Sequence, residues 1–187
     1  MEKIYLDNAA TSWPKPEAVY HAVDHFNRHI GGNPGRGTTS FALSSASMVF
    51  ETRELLAQLF NIGDPLRIAF TLNITEALNM ALKGSLLPGD HLIISSMEHN
   101  AVVRPAFSLA QHGLEITVIP CSPEGLIDIK ALVKGIKKNT KMVGLLHASN
   151  VTGTIQPIEE VGQICRERGI LFLVDSAQSA GVLPIDV

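Results

Sequence analysis

Cysteine is scarce in this sequence. Cys121 and Cys165 are the two in 187 residues, too few and too far apart for a disulfide framework or a metal-knuckle spacing, and both read as structural. Excess positive charge is missing too: the net charge is −3 and the lysines and arginines are scattered, so neither nucleic acid nor an anionic membrane is an expected partner. No apolar run approaches the roughly 20 residues that span a bilayer. The opening MEKIYLDNAATS has no apolar signal core, so the expected location is cytoplasmic. Phosphate-loop, strand-following GxGxxG and GxSxG patterns are absent, and the glycines of GGNPGRG follow a helical pattern instead of a strand. Lysine does not occur after Lys141.

What remains is an ordinary globular composition, 45% hydrophobic and 18% charged, which suits one domain or a large piece of one and points to small-molecule chemistry. Near the start, Val19, Val23, Phe26 and Ile30 recur at helical spacing and stop at Gly31-Gly32. The same stretch puts His21, His25 and His29 on one face. Such a stripe can bind a metal, but no acid or cysteine is in register, so a solvated or interface face is the preferred reading and no metal is expected. A Gly/Pro/Asn/Thr-rich loop follows, and Ser44 is the expected start of a second helix with Met48, Thr52, Leu55 and Leu59 on one face.

A regular rhythm then begins. Apolar runs that read as strands occur at Leu66–Phe70, His91–Ser95, Leu114–Ile119, Met142–Leu146 and Ile170–Val174. Helical patterns at Thr75–Lys83, Ala101–Gln111, Ile129–Lys137 and Ile158–Arg168 separate them, with Gly84, Gly113 and Gly169 at helix ends. Strands as continuously apolar as LFLV and VGLL belong to a parallel sheet covered on both faces, so the expected class is α/β.

In such sheets ligands sit beyond the carboxyl ends of the strands. Those ends carry Thr71, Asn73, Thr75 and Glu76; Glu98, His99 and Asn100; His147, Ser149 and Asn150; and Asp175, Ser176 and Gln178. A single histidine or asparagine after a strand is commonly a loop hydrogen-bonder, but four polar ends on one edge point to a ligand. Thr75 lies where a helix begins, a place that suits a phosphate, although it could also be only the helix cap. His99 offers a flat ring. Asp175, ending a buried strand, requires a cation or a strong donor. Phosphate anchor, flat ring and aspartate together describe pyridoxal phosphate, whose protonated ring nitrogen makes it an electron sink.

The motifs YLDNAATSWPKPEAV, NPGRGTTSFALSSA, TEALNMALKG, PGDHLIISSMEHNAVVRP, HASNVTGTIQPIEEVG and LVDSAQSAGVLPIDV, in this order, resemble the class V aminotransferase family and, within it, the cysteine desulfurase-like enzymes. The resemblance covers essentially the whole chain. It implies the PLP fold type I large domain and the cofactor pyridoxal 5'-phosphate. By position it implies that Thr75, with the N–H of Ile74, anchors the phosphate, and that His99 stacks on the ring and takes a catalytic part. Asn150 falls near the ring oxygen and the substrate, Asp175 on the pyridinium, and Gln178 on the phenolic oxygen. Ala9 and Ala10 line the substrate pocket, in an N-terminal segment of about 30 residues that returns to it. Arg36 reaches an active site or is a plain loop arginine.

The implied reaction converts L-cysteine to L-alanine with transfer of sulfur to an enzyme cysteine, in a homodimer that hands sulfur to an acceptor protein. Other class V activities, such as transamination or selenocysteine or cysteine sulfinate lyase chemistry, share the scaffold. The family's cofactor-linking lysine lies in a GHK-type motif, and none of Lys3, Lys15, Lys83, Lys130, Lys134, Lys137, Lys138 or Lys141 matches it; neither cysteine matches the persulfide position. The expectation is therefore the N-terminal part of such an enzyme, truncated before the last strands of its sheet and marginal or inactive alone.

Overall fold

A computed structural model of the protein describes residues 4–187. Residues 1–3, the beginning of the expected N-terminal segment, lie outside the described residues. The chain divides into two compact units: the N-terminal part through Ala69 with Pro184–Val187, and Phe70–Leu183.

In the first unit, helix α1 (Glu17–His25) has Glu17 in its first turn, where a negative charge suits the helix dipole. It runs into a single π-helical turn, Phe26–Ile30, which ends at Gly31 in the left-handed region (φ 54°), the expected glycine stop. Helix α2 (Ser40–Leu59) starts four residues before Ser44 because the Thr39 side chain accepts the Ala42 N–H and caps it there. Its buried face also differs from the expected stripe. Ala42, Ser45 and Ala57 are buried while Leu55 and Leu59 are exposed, because small residues allow close approach on one side of a helix whose other sides are also apolar. Gly32 permits one such approach: a Cβ there would overlap the Phe41 backbone.

The expected strand Leu66–Phe70 does not form. The Asp64 side chain accepts the Leu66 N–H, and Pro65–Arg67 tightens into a 3-10 turn. Ile68 is extended, its carbonyl accepting from the Arg53 guanidinium, but the segment joins no ladder of the sheet. A mostly apolar run fixes local extension, not a pairing partner.

The second unit follows the expected alternation: α3 (Ile74–Ser85), β1 (His91–Ser95), α4 (Asn100–Ala110), β2 (Glu115–Ile119), α5 (Ile129–Gly135), β3 (Thr140–Leu146), α6 (Ile158–Glu167) and β4 (Leu171–Asp175). The four strands are all parallel in the order β2-β1-β3-β4. Helices cover both faces. Leu92 and Ile94 of β1 pack with Leu78 and Leu82 of α3 and Val102 and Ala106 of α4; Ile93 points the other way, to Leu132 of α5 and Val161 and Cys165 of α6. Burial of each such side chain contributes roughly 1.5–3 kcal/mol. Central β1 is buried throughout, whereas edge strands β2 and β4 are not, as a sheet with two open edges requires.

Candidate functional site

Strand order reverses between β1 and β3: the chain goes from β1 outward to β2, then returns to β3 and continues to β4 on the opposite side. The connections after β1 and β3 therefore diverge to opposite faces, and the crevice at their carboxyl ends is where parallel α/β sheets bind ligands. The residues that border it are Glu98 and His99 after β1, His147 to Asn150 after β3, and Asp175 at the end of β4.

Asp175 is buried, 7% exposed, and in register with Leu146 of β3. Its carbonyl accepts the His147 N–H (2.9 Å) and its Oδ1 accepts the Ala177 N–H (3.0 Å), an Asx turn that aims the carboxyl along the strand end. Gln178, half-buried, sits in the following turn, which is closed by Ser179 and Ala180 N–H groups on the Ser176 carbonyl.

His99 caps α4 with its ring: Nδ1 accepts the Ala101 N–H at 3.1 Å. That bond fixes the tautomer, leaving the proton on Nε2, and holds an exposed ring in one orientation. At the start of α3 the cap is Asn73, not Thr75. Asn73 Oδ1 accepts the Glu76 N–H (2.9 Å), and Glu76 Oε2 reaches back to the Leu72 N–H (2.6 Å), a reciprocal clasp. Thr75 is the second residue of the helix, so its hydroxyl is not used as the cap, and it stands with the Ile74 and Thr75 N–H groups at the positive end of the dipole. The alternative that Thr75 is only a cap is thereby excluded.

Glu98 sits deeper. Its Oε1 accepts from Ser95 Oγ (2.6 Å) and from the Leu146 N–H (3.1 Å), while Oε2 is buried without a partner among the described residues. Burial pushes this carboxyl up to about 7, against the hydrogen bonds that lower it and with a further rise from Asp175. His147, 5% exposed, is shifted below the ordinary imidazole value by burial, with Glu159 opposing, and its Nδ1 is also buried and unpartnered. Asn150 is exposed in a loop tied by Ser149, whose Oγ accepts the Val151 and Thr152 N–H groups (both 3.2 Å).

A groove of about 440 Å³ runs from this edge between α3 and α4, with Thr75 and His99 at one end and Asn79, Lys83, Asn100, Arg104 and Ser108 along it. Asn100 is among the strand-end residues that the sequence singles out; Asn79, Lys83, Arg104 and Ser108 are not, although the spacing of four on each helix signals one polar stripe per helix. Lys83 lies eight residues beyond Thr75, about 12 Å away by helical rise. Ala9 and Ala10, in an exposed turn, and Arg36, in the exposed loop before α2, belong to the first unit. His21, His25 and His29 are exposed, with the His25 and His29 rings 5.0 Å apart and His21 3.7 Å from Glu17; among the described residues no group of three or more His, Cys, Asp or Glu is placed to hold a metal. Among the described residues no helix is long and apolar enough to cross a membrane.

The donor set suits a phosphate-bearing aromatic cation. Open amides and a hydroxyl lie at a helix start, an oriented ring follows β1, and a buried carboxylate ends β4.

The chain as a whole is similar to known proteins. The family model for aminotransferase class V matches residues 4–187. Cysteine desulfurase IscS of Vibrio campbellii is 38% identical over 98% of this chain and 46% of its own length, and the mitochondrial cysteine desulfurase of Candida albicans is 37% identical over 98% and 38%. Among solved structures, apo cysteine desulfurase from Thermococcus onnurineus superposes with a TM-score of 0.90 at 33% identity, covering 98% of this chain and 46% of that one. A structure described as SspA in complex with cysteine gives 0.91 at 32%, covering 98% and 53%. The chain thus spans about half the length of the proteins it matches or less, and it belongs to the class V aminotransferase family.

Proposed function

We propose that this chain seats pyridoxal 5'-phosphate and that the enzyme it forms is a cysteine desulfurase, converting L-cysteine to L-alanine with transfer of sulfur to an enzyme cysteine. The observation that carries the reading is the convergence of Asp175, His99 and the open start of α3 on one sheet edge at the strand-order reversal. Pyridoxal phosphate, when bound, supplies an electron sink for bond breaking at the amino acid.

The residues of the chain divide the remaining work. Ile74 and Thr75 give amides and a hydroxyl to a phosphate. His99 presents its ring face and the Nε2 proton; Asp175, tethered through Oδ1, keeps a proton on a ring nitrogen by hydrogen bonding to it. Gln178 and Asn150 serve the ring oxygen, and Asn150 also the substrate. Ala9, Ala10 and Arg36 keep the substrate-pocket role that their motifs imply, on sequence alone. We read the 187 residues as the N-terminal part of a transferase large domain, with the linking lysine and the sulfur-bearing cysteine contributed by a further part of the enzyme, in keeping with relatives roughly twice as long. A cytoplasmic homodimer that passes sulfur to an acceptor protein completes the reading.

The test compares the 187-residue chain with a form extended to its relatives' length. Visible absorbance acquired with pyridoxal phosphate, and alanine and sulfide released from L-cysteine by the extended form, support the reading. Amino transfer without sulfide would assign a different class V activity, and no cofactor absorbance in either form would refute the seat.

A further inference from the structure

Glu98 takes no part in the reaction proposed above, yet its carboxyl bridges the crevice where the strand order reverses. Oε1 is bonded on the β1 side to Ser95 Oγ and on the β3 side to the N–H of Leu146. Leu146 is the residue in register with Asp175, and His99 is the next residue in the chain after Glu98. One carboxyl thus ties the turn that carries His99 to the strand pair that carries Asp175. Ser95 Oγ is itself fixed, since it accepts the Met97 N–H at 3.1 Å, so the turn from Ser95 to Glu98 is closed at both ends.

The other oxygen, Oε2, is buried without a donor among the described residues. A charged carboxylate in that position is expensive, and more so beside a second carboxyl; a protonated acid costs less. Burial is the main cause that raises the Glu98 carboxyl to about 7, and Asp175 on β4 is the charged side chain that acts on it. From β1 it meets a serine hydroxyl and from β3 a backbone N–H, neither of which titrates.

We propose that Glu98 is a positioning residue: an acid that bridges β1 and β3, sets the spacing of His99 and Asp175 and, in its protonated form, places no second negative charge beside Asp175. The consequence for a bound ring rests on the proposed cofactor seat, whereas the bridge and its proton are properties of the chain itself.

Two substitutions in the full-length protein separate these parts. Glu98→Gln keeps an oxygen able to accept both bonds and cannot ionise; Glu98→Ala removes the bridge. In nuclear magnetic resonance the Leu146 amide shift should titrate with a midpoint near pH 7 in the natural protein and not in E98Q. Pyridoxal phosphate affinity should stay within about threefold in E98Q and fall roughly tenfold in E98A, the equivalent of one lost hydrogen bond, with a changed induced circular dichroism of the cofactor. The inference is overturned if the Leu146 amide titrates near the ordinary 4.5 or not at all. It is also overturned if E98A binds and orients the cofactor like the natural protein, or if E98Q is damaged as much as E98A. If the amide titrates as expected but no form binds pyridoxal phosphate, the proposed function fails and the neutral bridge stands.

Discussion

The His91 ring joins three strands: Nε2 lies 2.8 Å from Thr117 Oγ1 on β2, and Nδ1 lies 2.8 Å from Thr140 Oγ1 at the start of β3. The side chain is fully buried, so the ring takes the place of an apolar residue at the amino edge of the sheet and pairs with the hydroxyls of two half-buried threonines. His91→Ala should cost about 3 kcal/mol, combining a cavity with the loss of two hydrogen bonds, as read by urea denaturation.

The same ring sets an acid limit on stability. Burial lowers the His91 pKa below 6.5, with Lys137 acting in the same direction and Glu115 opposing. The unfolded chain then binds a proton at a higher pH than the folded one, so this contribution is present above about 6.5 and is lost as pH falls through the folded value. The slope of unfolding free energy with pH on the acid side of 6.5 should shrink in His91→Ala.

Glu98 sets the opposite limit. Its folded pKa is raised from 4.5 to about 7, so its contribution is complete below 4.5 and lost as pH rises through about 7. The shift corresponds to a loss of up to about 3 kcal/mol. Glu98→Gln should be more stable than the natural protein at pH 8 and nearly equal to it at pH 5; equal stability at both values would contradict the assignment of a buried neutral acid.

Thiol chemistry should separate the two cysteines. Cys165 is 1% exposed among Ile93, Val161 and Leu132, and burial pushes its thiol up to about 11, with Arg168 opposing; Cys121 is half-buried. A thiol reagent at pH 8 should modify Cys121 in the native protein and Cys165 only after denaturation, as mass spectrometry of the labelled peptides would report.

How far the sequence could be read depended on whether a feature is local. Strands β1 to β4 and helices α3 to α6 are legible because their apolar spacing is their own, and Asp175 and His99 stand out as polar residues after strands. Leu66–Phe70 has the same apolar look, but a strand needs a partner, which spacing within the run does not supply. The face of α2 is equally hidden, since its choice of Ala42 and Ser45 over Leu55 and Leu59 depends on how closely another backbone can approach. Glu98 was visible as a strand-end acid, but its bond to Leu146 spans 48 residues and appears only once β1 and β3 lie side by side.

Gly32 is a local test of that close approach. A Cβ at this position would fall within van der Waals overlap of the Phe41 carbonyl and the Ala42 nitrogen, atoms of the backbone at the first turn of α2 that cannot rotate away. Gly32→Ala should cost about 1–3 kcal/mol, the usual penalty of forcing extra volume into a packed contact. Amide exchange should rise in residues 31–42 and stay unchanged in β1 and β3. Unchanged exchange throughout would show that the loop and helix separate without cost.

Asp175→Asn tests the cofactor seat with little risk to the fold. The amide oxygen can still accept the Ala177 N–H, and the backbone pairing with β3 does not involve the side chain, so thermal stability should be nearly retained. What the substitution removes, in the proposed cofactor seat, is the negative charge that would hold a proton on a ring nitrogen. In an enzyme extended to its relatives' length, turnover of L-cysteine should fall by about 100-fold or more, equivalent to roughly 3 kcal/mol of lost charge stabilisation. Binding of pyridoxal phosphate should weaken less than turnover, because the proposed phosphate seat at the start of α3 is left intact. Turnover that survives the loss of this charge would remove Asp175 from the cofactor and leave it a strand-end turn residue.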